Sequence, residues 1–87
     1  MAKIGVIGDR DSVLLFKAVG LDVFFEDDGA KANQPLHRLA REGYAAVLVT
    51  EKLLPACAET LAEFEGQPYP AIIPIPDNQG SDGLGEK

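Results

Sequence analysis

Two aspartates flanking an arginine, Asp9-Arg10-Asp11, follow directly on the apolar run Ile4-Gly5-Val6-Ile7-Gly8. Paired acids behind a first strand are how phosphoacceptor domains hold magnesium, and a glycine-rich turn at the same place is how nucleotide-binding domains cradle phosphate. Neither chemistry is completed here. Gly5-Val6-Ile7-Gly8 lies within the strand and lacks both the G-x-G-x-x-G turn and the G-K-[ST] ending, and Asp9 and Asp11 would repel phosphate. Glu26 sits where a ribose-binding acid could stand, but without the glycine fingerprint it is a weak signal. The aspartate nucleophile expected after a third strand is replaced by Thr50-Glu51, and no fifth strand with its lysine follows.

The remaining reactive residue types are few. Glu26-Asp27-Asp28 points three carboxylates in different directions with no histidine beside them, so it reads as a solvated loop that favours the start of the next helix. His37 is the only histidine and neighbours Arg38 and Arg41, which suits a surface or rim residue. Cys57, the only cysteine, has no basic or histidine neighbour and reads as a small packing residue. No Ser-His-Asp or Cys-His arrangement can be assembled from this set. No catalytic, metal-binding or cofactor-binding residue is expected.

Composition narrows the partners. The 87 residues carry a net charge of -6, from 14 acidic against 8 basic side chains spread along the chain, which disfavours nucleic acid and anionic membrane. A lone cysteine and the absence of a signal segment imply an intracellular protein, and no apolar run is long enough to insert into a bilayer. A domain of this size buries only about 60% of its unfolded surface. Little stability is left to hold a strained active site, so a binding module is favoured over an enzyme.

The elements that would position these residues alternate. Lys3 to Gly8 predicts a central strand, Ser12 to Val19 a helix capped by Asp11 and stopped at Gly20, and Leu21 to Phe25 a shorter strand at an edge. A second helix lies between Ala30 and Glu42 with Ala32, Leu36, Leu39 and Ala40 on its stripe. Pro35 requires that it start near Asn33 or Gln34, or kink there. Tyr44 to Thr50 is continuously apolar, as a central parallel strand should be. A third helix begins near Lys52 or Leu54 and runs toward Gly66 with Leu54, Ala58, Leu61 and Ala62 as its stripe. Ala71 to Pro76 is a fourth strand, confined to an edge by Pro74. Residues 77–87 are rich in glycine and predict a flexible tail after a domain spanning 1–76.

This order predicts an α/β fold: a small flavodoxin-like, Rossmann-like three-layer domain with a four-stranded parallel sheet in order 2-1-3-4 and helices on both faces. The first helix is apolar around most of its circumference (Val13, Leu14, Leu15, Phe16, Ala18, Val19). Packing against sheet and loop accounts for that; so does docking on another protein.

Several segments in this order resemble one family. They are the opening Lys3-Ile4-Gly5-Val6-Ile7-Gly8-Asp9-Arg10-Asp11-Ser12-Val13, the Ala18-Val19-Gly20 turn, the Tyr44 to Glu51 strand ending in Thr-Glu, and Pro70-Ala71-Ile72-Ile73-Pro74-Ile75-Pro76 with Gly80-Ser81 beyond it. Together they resemble the F subunit of the V-type and archaeal-type (A-type) rotary ATPases over nearly the whole chain. The resemblance implies a non-catalytic component of the central stalk. It would bind the D subunit, the coiled-coil shaft, and through it the catalytic head and the membrane sector, coupling ATP hydrolysis or synthesis to proton or sodium transport. It would be cytoplasmic and peripheral to the membrane. Asp9, Arg10, Asp11, Phe16, Glu51, Gly80 and Ser81 are the interface candidates. Family members continue into a C-terminal helix, of which only Asp82 to Lys87 would remain here. The alternative is a small receiver-like or ligand-binding α/β domain.

Overall fold

β-branched residues at positions 4, 6 and 7 favour extended backbone, and Ile4–Gly8 forms strand β1 at the centre of the sheet. The computed structural model describes residues 3–76. The expectations for the glycine-rich tail and for the missing C-terminal helix lie outside them. After β1 come α1 (Arg10–Ala18), β2 (Asp22–Phe25), α2 (Gly29–Arg41) and β3 (Ala46–Thr50). Two 3₁₀ turns (Glu51–Leu53 and Pro55–Cys57) then lead into α3 (Ala58–Phe64) and β4 (Ala71–Ile75). All strand pairs are parallel and the order is β2-β1-β3-β4, as the alternation of elements predicts.

Register rows run straight across the sheet. Phe24, Ile7, Val49 and Pro74 stand in one row; Val23, Val6, Leu48 and Ile73 stand in the next and point to the opposite face. The first face carries the principal core. There Ile7, Val47 and Val49 meet Ala32, Leu36 and Leu39 of α2 together with Leu53, Cys57 and Tyr44, all essentially fully buried. The second face is covered by α1, whose one fully buried side chain is Val13. Gly8 permits this close approach: a Cβ there would collide with the Thr50 methyl and with Val13.

Four local expectations need correction. Helix α1 begins at Arg10 and its cap is Asp9, not Asp11; Asp9 has the extended backbone a cap requires and accepts from the Ser12 amide at 3.1 Å. Asp11 lies exposed in the first turn. Helix α2 starts at Gly29, well before Pro35, because Asp28 caps it and Ala32 is already buried against the core. The proline amide that cannot bond to Lys31 is tolerated in mid-helix. Of the stripe expected for the third helix, Leu54 and Leu61 pack half-buried against the core but Ala58 and Ala62 are exposed; the fully buried residues are Leu53 and Cys57 on the 3₁₀ turns and Thr60 on α3. Two 3₁₀ turns at three residues per turn shift the phase that a continuous α-helical stripe from Leu54 would have had. Tyr44, finally, precedes β3 instead of belonging to it.

Candidate functional site

Because β1 and β3 pair directly, the segments that leave them emerge together at the carboxyl edge of the sheet, where α/β domains usually bind their ligands. Asp9 and Arg10 follow β1, and Glu51 follows β3 on the first 3₁₀ turn, exposed. The Asp9 carboxylate is half-buried and occupied by Ser12, whose amide and hydroxyl both donate to it (hydroxyl to Oδ1, 2.8 Å). Arg10 is exposed, with its guanidinium 5.6 Å from the centre of the Phe25 ring. Asp9, Arg10, Phe25, Glu26 and Asp27 line an open hollow of about 230 Å³.

The acids around this hollow do structural work. Glu26 accepts from the Asp28 amide at 3.1 Å, and Asp28 accepts from the Ala30 amide at 2.9 Å as the cap of α2. Their oxygens point at backbone, not at a common centre. The Thr50-Glu51 pair likewise offers no nucleophile: the Thr50 hydroxyl is fully buried, has no hydrogen-bond partner among the described residues, and packs beside Gly8.

His37 and Cys57 serve the contact between α2 and the segment that runs from the second 3₁₀ turn into α3. The Thr60 hydroxyl donates to Asn33 Oδ1, so His37 Nε2, 3.2 Å away, supplies a hydrogen that Thr60 accepts. Asn33 Nδ2 donates in turn to the Ala56 carbonyl, and the Cys57 thiol donates to the Gly29 carbonyl at 3.4 Å. Burial pushes the Cys57 thiol above its ordinary pKa, the opposite of what a nucleophile needs.

The feature that a docking reading requires lies on α1. Phe16, the candidate chosen from the sequence, is only half exposed, whereas Leu14 (42% exposed), Leu15 (79%) and Val19 (73%) present apolar side chains to solvent. The over-apolar helix was the available signal; which residues face outward depends on the burial of Val13, which sets the helix rotation. Helix α1 packs on β1 and β2. Among the described residues the β4 edge of the same sheet face is therefore thinly covered, and Ile73 is 43% exposed. Gly80 and Ser81 lie outside the described residues.

Residues 4–87 match the family model described as ATP synthase (F/14-kDa) subunit. The chain belongs to this family. It is 45% identical to the V-type ATP synthase F subunit of Fusobacterium nucleatum over 85 residues, covering 98% of this chain and 81% of that protein. The Clostridium perfringens V-type ATP synthase F subunit is similar to the same degree, 45% over 85 residues with the same coverage. An A-type ATP synthase F subunit from Methanothermobacter thermautotrophicus is 32% identical over 81 residues, covering 91% of this chain and 76% of that protein. As a member of the F-subunit family, the chain is a component of a V/A-type ATP synthase complex. Among the described residues no helix is long and apolar enough to cross a membrane.

Proposed function

We propose that the chain is the non-catalytic central-stalk subunit of its rotary ATPase, binding the D subunit that forms the coiled-coil shaft and linking ATP turnover in the head to proton or sodium transport in the membrane sector. Its place is cytoplasmic, peripheral to the membrane through the complex. The supporting observation is the exposed apolar run of α1, where Leu14, Leu15 and Val19 form a surface that a long helical hairpin can cover. Arg10, Asp11 and Glu51 rim the carboxyl edge with charge, Asp9 holds that edge in shape, and Phe16, half-buried on α1, is the further candidate on the helix. Gly80 and Ser81, outside the described residues, are further candidates of this proposal for contact with the shaft.

Co-purification of the intact chain with its shaft protein tests the reading. A stoichiometric complex is expected, weakened strongly by Leu15→Glu; failure of the unaltered chain to bind refutes it. Calorimetry against ATP and magnesium should show no heat of binding. A measurable nucleotide or magnesium affinity would favour the receiver-like alternative.

A further inference from the structure

On the sheet face opposite α1, α3 and the edge strand β4 leave an open groove of about 390 Å³ between them. Its floor is apolar, built from Leu54, Leu61, Phe64, Ile72 and Pro74, and the ionisable side chain on its wall is Glu65. We propose that this groove is a second protein-docking site, for an amphipathic helix of a partner whose apolar stripe is flanked by lysine or arginine.

The type of occupant follows from the groove walls. An added strand would need amide donors along the free side of β4. Pro74 has no N–H, and Pro70 and Pro76 bracket the strand, so an extended segment would find an interrupted ladder there. A helix satisfies its own backbone and needs only apolar contact. On α3, Ala58 and Ala62 are exposed on the flank that carries Leu61 and Glu65, and small side chains there let a neighbouring helix approach closely.

The charge of the occupant follows from the rim. Glu65 is exposed and forms no ion pair with any described residue, while Glu63 is turned away toward His37 at 3.9 Å. The carbonyl end of α3 opens beside Glu65 and adds negative potential. The chain as a whole carries -6. A basic flank is drawn to this rim and an acidic one repelled. The site is independent of the shaft contact, since it lies on the other face of the sheet and uses none of the α1 residues.

The test titrates the 87-residue chain with two designed peptides of about five helical turns. Both carry leucines at helical spacing; one is flanked by lysine and the other by glutamate. Two-dimensional NMR should show saturable shifts centred on Leu54, Leu61, Phe64 and Ile72 with the lysine peptide only, and Glu65→Lys, a surface change that leaves the fold intact, should weaken binding about tenfold. Absence of binding, equal binding of the glutamate peptide, an unchanged affinity in Glu65→Lys, or shifts centred on Leu14, Leu15 and Val19 would each overturn the proposal. The last outcome would leave the shaft reading standing while removing this one.

Discussion

The two faces of the sheet are built to different ends. On the α2 face, Ile7, Val47 and Val49 are wholly buried beneath Leu36 and Leu39, with Leu53 and Cys57 closing the layer. On the α1 face, burial falls away across a single register row: Val6 is fully buried under the helix, its neighbour Leu48 is half-buried, and Ile73 on the edge is 43% exposed. The same strands supply both rows, so strand propensity does not explain the contrast. Helix coverage does: α2, both 3₁₀ turns and α3 pack on one face, and among the described residues α1 alone covers the other. A small α/β domain can hold its fold from one face and leave the second for association.

The largest effect expected from this contrast is on Leu36, at the centre of the covered face. Leu36→Ala should destabilise the chain by about 2–5 kcal/mol, the cost of a cavity in a fully buried layer. For a domain this small that is a large part of the total stability, and urea denaturation followed by circular dichroism would show it. A loss below about 1 kcal/mol would mean that the α2 face is not the principal core.

Next in size is the tie that fixes the edge of the same face. The Tyr44 hydroxyl donates to the Asp22 carboxylate at 2.6 Å, pinning β2 to the turn before β3. That hydrogen bond, with burial and the negative charge of Asp22, pushes Tyr44 up to about 12. Only the neutral phenol can donate, so the folded state holds this proton more tightly than the unfolded chain, whose tyrosines titrate near 10. The stabilisation is therefore whole below about pH 10 and is lost as pH rises from 10 toward 12. Tyr44→Phe should cost about 1.5 kcal/mol at neutral pH and flatten that alkaline decline. An unchanged alkaline profile in Tyr44→Phe would mean the decline belongs to other groups.

How far these features were legible in the sequence varies with their physical origin. Strand order and the burial of the central strand β1 on both faces followed from apolar runs and from the handedness of crossovers, which are properties of whole segments. Phase was harder. Half of the third helix's stripe slipped: Leu54 and Leu61 pack on the core but Ala58 and Ala62 face outward, because two 3₁₀ turns precede α3 and nothing in Glu51 to Cys57 announces a change from 3.6 to 3.0 residues per turn. The cap of α1 passed to Asp9 from Asp11 because two aspartates two residues apart satisfy the same pattern, and Ser12 decides between them by bonding to one. Of the candidate site, the family and the apolar excess of α1 could be read. Which α1 side chains face outward could not, since Leu14, Leu15 and Phe16 differ only in rotation about the helix axis.

The choice between the two aspartates gives a smaller test on the α1 side. Asp9→Ala should cost about 1 kcal/mol through the lost cap, whereas Asp11→Ala, exposed and without a capping bond, should stay within about 0.5 kcal/mol of the unaltered chain. Thermal melts of the two variants side by side would reverse the assignment if Asp11→Ala proved the more costly.

The smallest expected effect bears most directly on the asymmetry of the faces. Leu15 is 79% exposed, so Leu15→Ser removes little buried area and stability should move by less than about 0.5 kcal/mol. Against Leu36→Ala, that makes two leucines in one small domain differ several-fold in what they contribute to folding. If Leu15 exists for a partner, the same substitution that leaves the melting curve in place should raise the dissociation constant of the shaft complex by about tenfold, one buried leucine of an interface being worth roughly 1.5–3 kcal/mol at most. A Leu15→Ser chain that melts early would assign this leucine to the fold, and the α1 face would then be a poorly covered core rather than a surface kept open for association.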